Sequence, residues 1–148
     1  MISALAAAKE FGRLSGWGLS NLELQKLIYI AHMIYLGRTG KPLVSGPFQA
    51  WDYGPVNPTL YHRAKVFGRA PVEDIFGSLP PLPEGAEKRF IQEAYESLGA
   101  LGPSQLVSIT HRTGGAWEAN YRPGRRYSLI SNEDIRKEYE SLDVDQAA

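Results

Sequence analysis

LQKLIYIAHMIYLG, residues 24–37, decides how the rest of the chain is read. From Leu27 to Leu36 every residue is apolar or aromatic except His32. Projected as a helix, one side carries Leu27, Ile30, Ala31 and Ile34. The other carries Gln25, Ile28, Tyr29, His32, Tyr35 and Leu36, bulky bodies with several hydrogen-bonding tips. A helix apolar all round is enclosed by protein or by lipid. A bilayer span needs about 20 apolar residues, so this run is too short for one. The pattern predicts the central helix of a domain, residues 21–36, with other elements packed on both sides. Ser20-Asn21-Leu22-Glu23 supplies a capping box at its start, and Gly37 is placed to end it in a left-handed turn.

Around that helix the chain reads as mainly α (α+β) with one small β element. Ala4, Ala7, Ala8, Phe11 and Leu14 recur at helical spacing. Phe48, Ala50 and Asp52 alternate with Gln49, Trp51 and Tyr53, predicting a short strand near residues 47–53 that Gly54-Pro55 ends. Asn57-Pro58 reads as an N-cap and first helical residue. The helix it opens turns Leu60, Tyr61, Ala64 and Phe67 inward and His62, Arg63 and Lys65 outward. A proline-rich loop fills residues 69–83. Helices are expected over about 84–98 and 104–110, with one more turn at AWEANY and a last helix capped by Ser131. The tail 143–148 reads as frayed.

Bulk properties exclude several kinds of function. At 148 residues the chain suits one domain. Its 16 basic and 16 acidic side chains cancel, so no overall field draws it to nucleic acid or anionic lipid. RPGRR at 122–126 is a local basic cluster of the kind usually found in solvated loops. A helix-turn-helix reading fails because residues 27–36 are apolar where base-reading side chains would be needed. There is no cysteine, which removes disulfides, thiolate metal sites and a cysteine nucleophile. That composition, with no signal-peptide pattern at the start, fits the cytoplasm.

Chemistry-bearing patterns are sparse. His32, His62 and His111 have no helical ligand spacing, so no metal is expected. No phosphate-cradling loop is present, and no cofactor is expected. Ser108 and Thr110 beside His111 share no helix face with it and lack a nucleophile elbow. His32 reads either as a base or ligand on a buried helix, or as a core histidine bonded to a tyrosine or backbone group. Burial favours the second. A hydrolase using His32 or His111 stands as the catalytic alternative. Trp51 and Tyr53 fit equally a core or a contact surface.

The order of these segments carries a resemblance. Leu24-Gln25-Lys26-Leu27 with Tyr29 is followed by Ala50-Trp51-x-Tyr53-Gly54-Pro55-Val56-x-Pro58 with Tyr61, then by Thr110-His111 and Trp117. Together they resemble the Panacea domain family of bacterial and phage toxin–antitoxin pairs, over about residues 3–142. The resemblance implies one mostly helical domain and an antitoxin that binds a toxin protein directly. Some members deliver the bound partner to an unfoldase protease, and no enzymatic activity is implied. It marks Gln25, Lys26, Tyr29, His32, Gly54 and Thr110 as motif residues. The partner-contact residues expected are Trp51, Tyr53, Pro55, Tyr61, His62, Arg63, Lys65, His111 and Trp117. Where many members carry an acidic residue and a proline before the tryptophan, this chain has Thr113-Gly114-Gly115-Ala116, so a looser loop is expected there.

Overall fold

The computed structural model describes residues 1–125 and 127–147, with side chains described to residue 142. Arg126 of the basic cluster and the side chains of the tail expected to fray, 143–148, lie outside the described residues.

Helix α1, Ala4–Leu14, begins where the Ser3 hydroxyl accepts from the Ala6 amide at 3.0 Å. Helix α2, Asn21–Thr39, is the expected axle. Its capping box is formed: the Ser20 hydroxyl accepts from the Glu23 amide at 3.2 Å, and the Glu23 carboxylate accepts from the Ser20 amide at 3.1 Å. The predicted end is corrected. Gly37 lies inside the helix, because the Tyr139 ring occupies the place where a Cβ would project. Gly40 makes the left-handed stop instead, at φ 74°.

Burial runs round α2, from Leu24 to Met33 without a break and again at Tyr35 and Leu36. Its neighbours are α1, α3 (Pro58–Ala64), α4 (Ala86–Leu98), α5 (Pro103–Thr110) and α7 (Asn132–Ala147). The helix after Asn57 continues as a 3-10 turn over Lys65–Phe67. The proline-rich 69–83 segment is a loop, as expected, yet it is pinned. Val72 donates its amide to the Leu19 carbonyl at 2.8 Å, and Phe76 is buried against Trp17.

The β element is larger than its sequence pattern suggests. Strand β1, Phe48–Trp51, pairs antiparallel with β2, Gly54–Val56, and with β3, Leu129–Ile130, in the order β2-β1-β3. Gly54-Pro55 therefore starts a second strand rather than ending the first. The Ala50 amide donates to the Ser128 carbonyl at 2.9 Å, so Ala50 faces Pro55 as a non-hydrogen-bonded pair. At such a position the ladder needs no proline N–H, and the Pro55 carbonyl points away from β1.

Candidate functional site

The motif residues of α2 tie the axle to the hairpin, the start of α3, α7 and the segment before β1. The Gln25 amide clasps the backbone of Asn57: it donates to the Asn57 carbonyl at 3.2 Å and accepts from the Asn57 amide at 2.8 Å. Asn57 in turn caps α3 through the Leu60 amide at 3.3 Å. Lys26 donates to the Pro55 carbonyl at 3.0 Å, the group that β2 turns outward. Tyr29 donates to Glu138 of α7 at 2.7 Å. His32 lies against the Phe48 ring, takes the Val44 amide on Nδ1 at 3.3 Å, and meets Asn132 Oδ1 from Nε2 at 2.9 Å. With Nδ1 accepting, Nε2 carries the proton and the ring is neutral. Burial pushes its pKa down, and the Asn132 bond opposes that. His32 is thus a satisfied core histidine, held by backbone and by Asn132 rather than by a tyrosine.

A second cluster stands behind the β1–β2 turn. His111 stacks on Trp117, with ring centroids 3.7 Å apart, and Trp117 stacks on Tyr121 at 4.6 Å. The stack holds the hairpin by two bonds. Trp117 Nε1 donates to the Trp51 carbonyl at 2.6 Å, and the Tyr121 hydroxyl donates to Asp52 at 2.6 Å. Helix α6, Ala116–Asn120, supplies Trp117, and its first amide donates to Glu138 at 3.2 Å. The loop expected to be loose is anchored there, since Arg112 also donates to Glu138 Oε2 at 3.3 Å. Burial lowers the His111 pKa first, the Lys26 charge lowers it further, and a backbone bond with Tyr53 opposes both. His111 Nε2 is buried without a partner among the described residues.

Between α2, the hairpin and α3 lies an open cleft of about 520 Å³. Its walls are the Trp51, Tyr53 and Tyr61 rings with Leu22 and Val56, and its polar groups come from Asn21, Gln25, Lys26 and Asp52. Trp51 and Tyr61 meet edge to face at 4.6 Å, and Trp51 Nε1 donates to Gln49 at 2.9 Å. Tyr53 is 71% exposed at the hairpin tip. Lys26 is 1% exposed, and burial lowers its pKa to about 7. Gly54, at φ 118°, is what admits it: a Cβ there would meet Lys26 Cε at 2.8 Å and Thr110 Oγ1 at 3.0 Å.

The structure therefore gathers Gln25, Lys26, Trp51, Tyr53 and Tyr61 around one cleft, with Gly54, Pro55 and Thr110 packed at Lys26. His62, Arg63 and Lys65 are exposed and do not line it. His111 and Trp117 brace the hairpin from behind. Sequence reasoning missed Asn21, Leu22 and Asp52 as lining residues, and Asn57 and Glu138 as the hubs. No local signal marks Lys26 as buried, since a long charged side chain ordinarily carries its tip to water.

Comparison with known proteins places this geometry. The model of the "Antitoxin SocA-like, Panacea domain" family matches residues 24–78. Residues 24–78 are thus similar to the Panacea domain. A curated relative, Antitoxin SocA of Caulobacter vibrioides (strain NA1000 / CB15N), is 38% identical over 110 residues. That alignment spans 68% of this chain and 58% of the relative. No solved structure matches. All the lining residues of the cleft except Asn21 and Leu22 fall inside the matched Panacea segment. Thr110, His111 and Trp117 fall beyond it. Among the described residues no three His, Asp or Glu side chains gather as a metal site, and no helix is long and apolar enough to cross a membrane.

Proposed function

We propose that this chain is an antitoxin, a type II-like binding protein that silences a toxin protein by direct contact and acts in the cytoplasm. The observation that carries the reading is the 38% identity to an antitoxin across 68% of the chain. Residues 1–148 work as one Panacea-like domain, and masking, not chemistry, is the means of silencing. Trp51, Tyr53 and Tyr61 form the apolar centre of the contact, with His62, Arg63 and Lys65 at its rim. Rigid aromatic side chains suit that centre because they remove much area from water at little entropy cost. Pro55, His111 and Trp117 contribute by fixing the hairpin that presents Trp51 and Tyr53. A catalytic role for His32 finds no support, because both its ring nitrogens are engaged inside the core.

The test is co-expression with the product of the adjacent open reading frame. The reading expects rescue of growth and a stable complex in gel filtration at micromolar concentration. Separate elution of the two proteins removes its main support. An adaptor version, in which the bound toxin passes to an unfoldase protease, expects a longer partner half-life in cells lacking this chain. An unchanged half-life leaves masking alone.

A further inference from the structure

We infer that the cleft beside Lys26 receives a carboxylate presented by a bound polypeptide segment, an acidic residue seated against the Trp51, Tyr53 and Tyr61 rings. The idea deepens the antitoxin reading by giving the partner's contact segment a chemistry, and it rests on that reading only for the partner's identity. An ammonium has three protons to donate. Among the described residues Lys26 makes one hydrogen bond, to the Pro55 carbonyl, and no ion pair. A cation so enclosed is ordinarily paired. Asp52 also lines the cleft, but its carboxylate is engaged by the Tyr121 hydroxyl at 2.6 Å.

The cleft's other unmet group narrows the ligand class. Asn21 Oδ1 is buried without a partner among the described residues, and Asn21 lines the same cleft. The site thus offers spare donors at Lys26 and a spare acceptor at Asn21. A peptide segment answers both, with its carboxylate on Lys26 and a backbone N–H on Asn21. A DNA phosphodiester backbone brings acceptors alone, and phosphate brings no apolar group for the aromatic rings. The volume of about 520 Å³ lies in the range of pockets that enclose small ligands and side-chain clusters.

The experiment is a titration of the full chain, followed by NMR at the Trp51 indole N–H and the Gly54 amide. The probes are acetyl-Leu-Glu-Phe-amide, acetyl-Leu-Gln-Phe-amide and inorganic phosphate. The glutamate peptide is expected to shift both signals and to bind at least about tenfold more tightly than the glutamine peptide, as a desolvated charge pair should. The preference should vanish in Lys26→Met. Equal binding of the two peptides overturns the inference, and so does silence from the glutamate peptide up to about 10 mM, a weak-fragment limit. Phosphate shifting the same signals as strongly also overturns it. The wild-type peptide comparison needs no variant, so a poorly folded Lys26→Met leaves the test intact. No toxin takes part, so failure of the antitoxin reading shows separately, in the co-expression assay.

Discussion

Replacing Lys26 by methionine should raise the stability of this protein at neutral pH and lower it at high pH. The folded pKa of about 7 stands against an ordinary 10.5, because burial disfavours the ammonium. A depressed lysine destabilises the fold wherever the folded state must carry the ammonium, and stability recovers with pH where only the unfolded chain holds the proton. The full effect is present below about pH 7, where both states are protonated, and it fades as pH rises to 10.5. At about 1.4 kcal/mol per pH unit, the burden below neutrality comes to about 5 kcal/mol. Methionine removes it but leaves the Pro55 carbonyl without its donor, a loss of about 1–3 kcal/mol at any pH. The variant should therefore gain about 2–4 kcal/mol near pH 6 and fall below wild type by about 1–3 kcal/mol near pH 10.5. Urea denaturation followed by tryptophan fluorescence across that range reads the difference directly. Other titrating groups act alike in both proteins and cancel, except His111, which in the variant loses the lowering effect of the Lys26 charge. A difference that stays constant within about 1 kcal/mol from pH 6 to 10.5 refutes the buried-ammonium argument.

Three further outcomes follow from the packing. Gly37→Ala should destabilise by about 1–3 kcal/mol in thermal or urea unfolding, although alanine is the better helix former, because its methyl would enter the Tyr139 ring. Glu138→Gln should cost about 2–4 kcal/mol by the same measurements: this 2% exposed carboxylate accepts from Tyr29, Arg112 and Ala116, and an amide nitrogen would face those donors. Tyr53→Ala should change stability by no more than about 0.5 kcal/mol yet weaken partner binding by about 2 kcal/mol or more, read by calorimetry with the purified partner.

The parts of the fold legible in the sequence were those fixed by local chemistry. Helix α2 follows from all-round apolarity and the Ser20–Glu23 capping box. Its end was misread because a glycine inside a helix and one just past it look alike until Tyr139, from the far end of the chain, is in place. Strand β2 was hidden by Pro55, which local rules treat as a stop; the register that makes its missing N–H harmless is set by pairing with β1. Strand β3 has two residues and so no periodicity to read. For the site, Trp51, Tyr53 and Tyr61 announce themselves by residue type. Lys26 and Glu138 do not, since long charged side chains usually carry their tips to water, and only the tertiary arrangement shows these two enclosed.

An enclosed lysine that weakens its own fold ties binding to protons. If a partner's carboxylate settles on Lys26, the bound state favours the ammonium and its pKa rises above the free value of about 7. Affinity should then be greatest below that pH. As pH climbs through the interval between free and bound values, affinity should fall by up to about tenfold per pH unit. The groups facing the lysine are Asp52, Tyr53 and Tyr61 of the cleft and His111 behind the hairpin. With a depressed pKa, His111 is neutral across this interval and adds no competing step. Calorimetry of the complex at about pH 7 and pH 9 should show proton uptake and a weaker Kd at the higher pH, with both effects absent in Lys26→Met. A pH-independent Kd in the wild type would place the partner's acidic group, and the contact itself, somewhere other than this cleft.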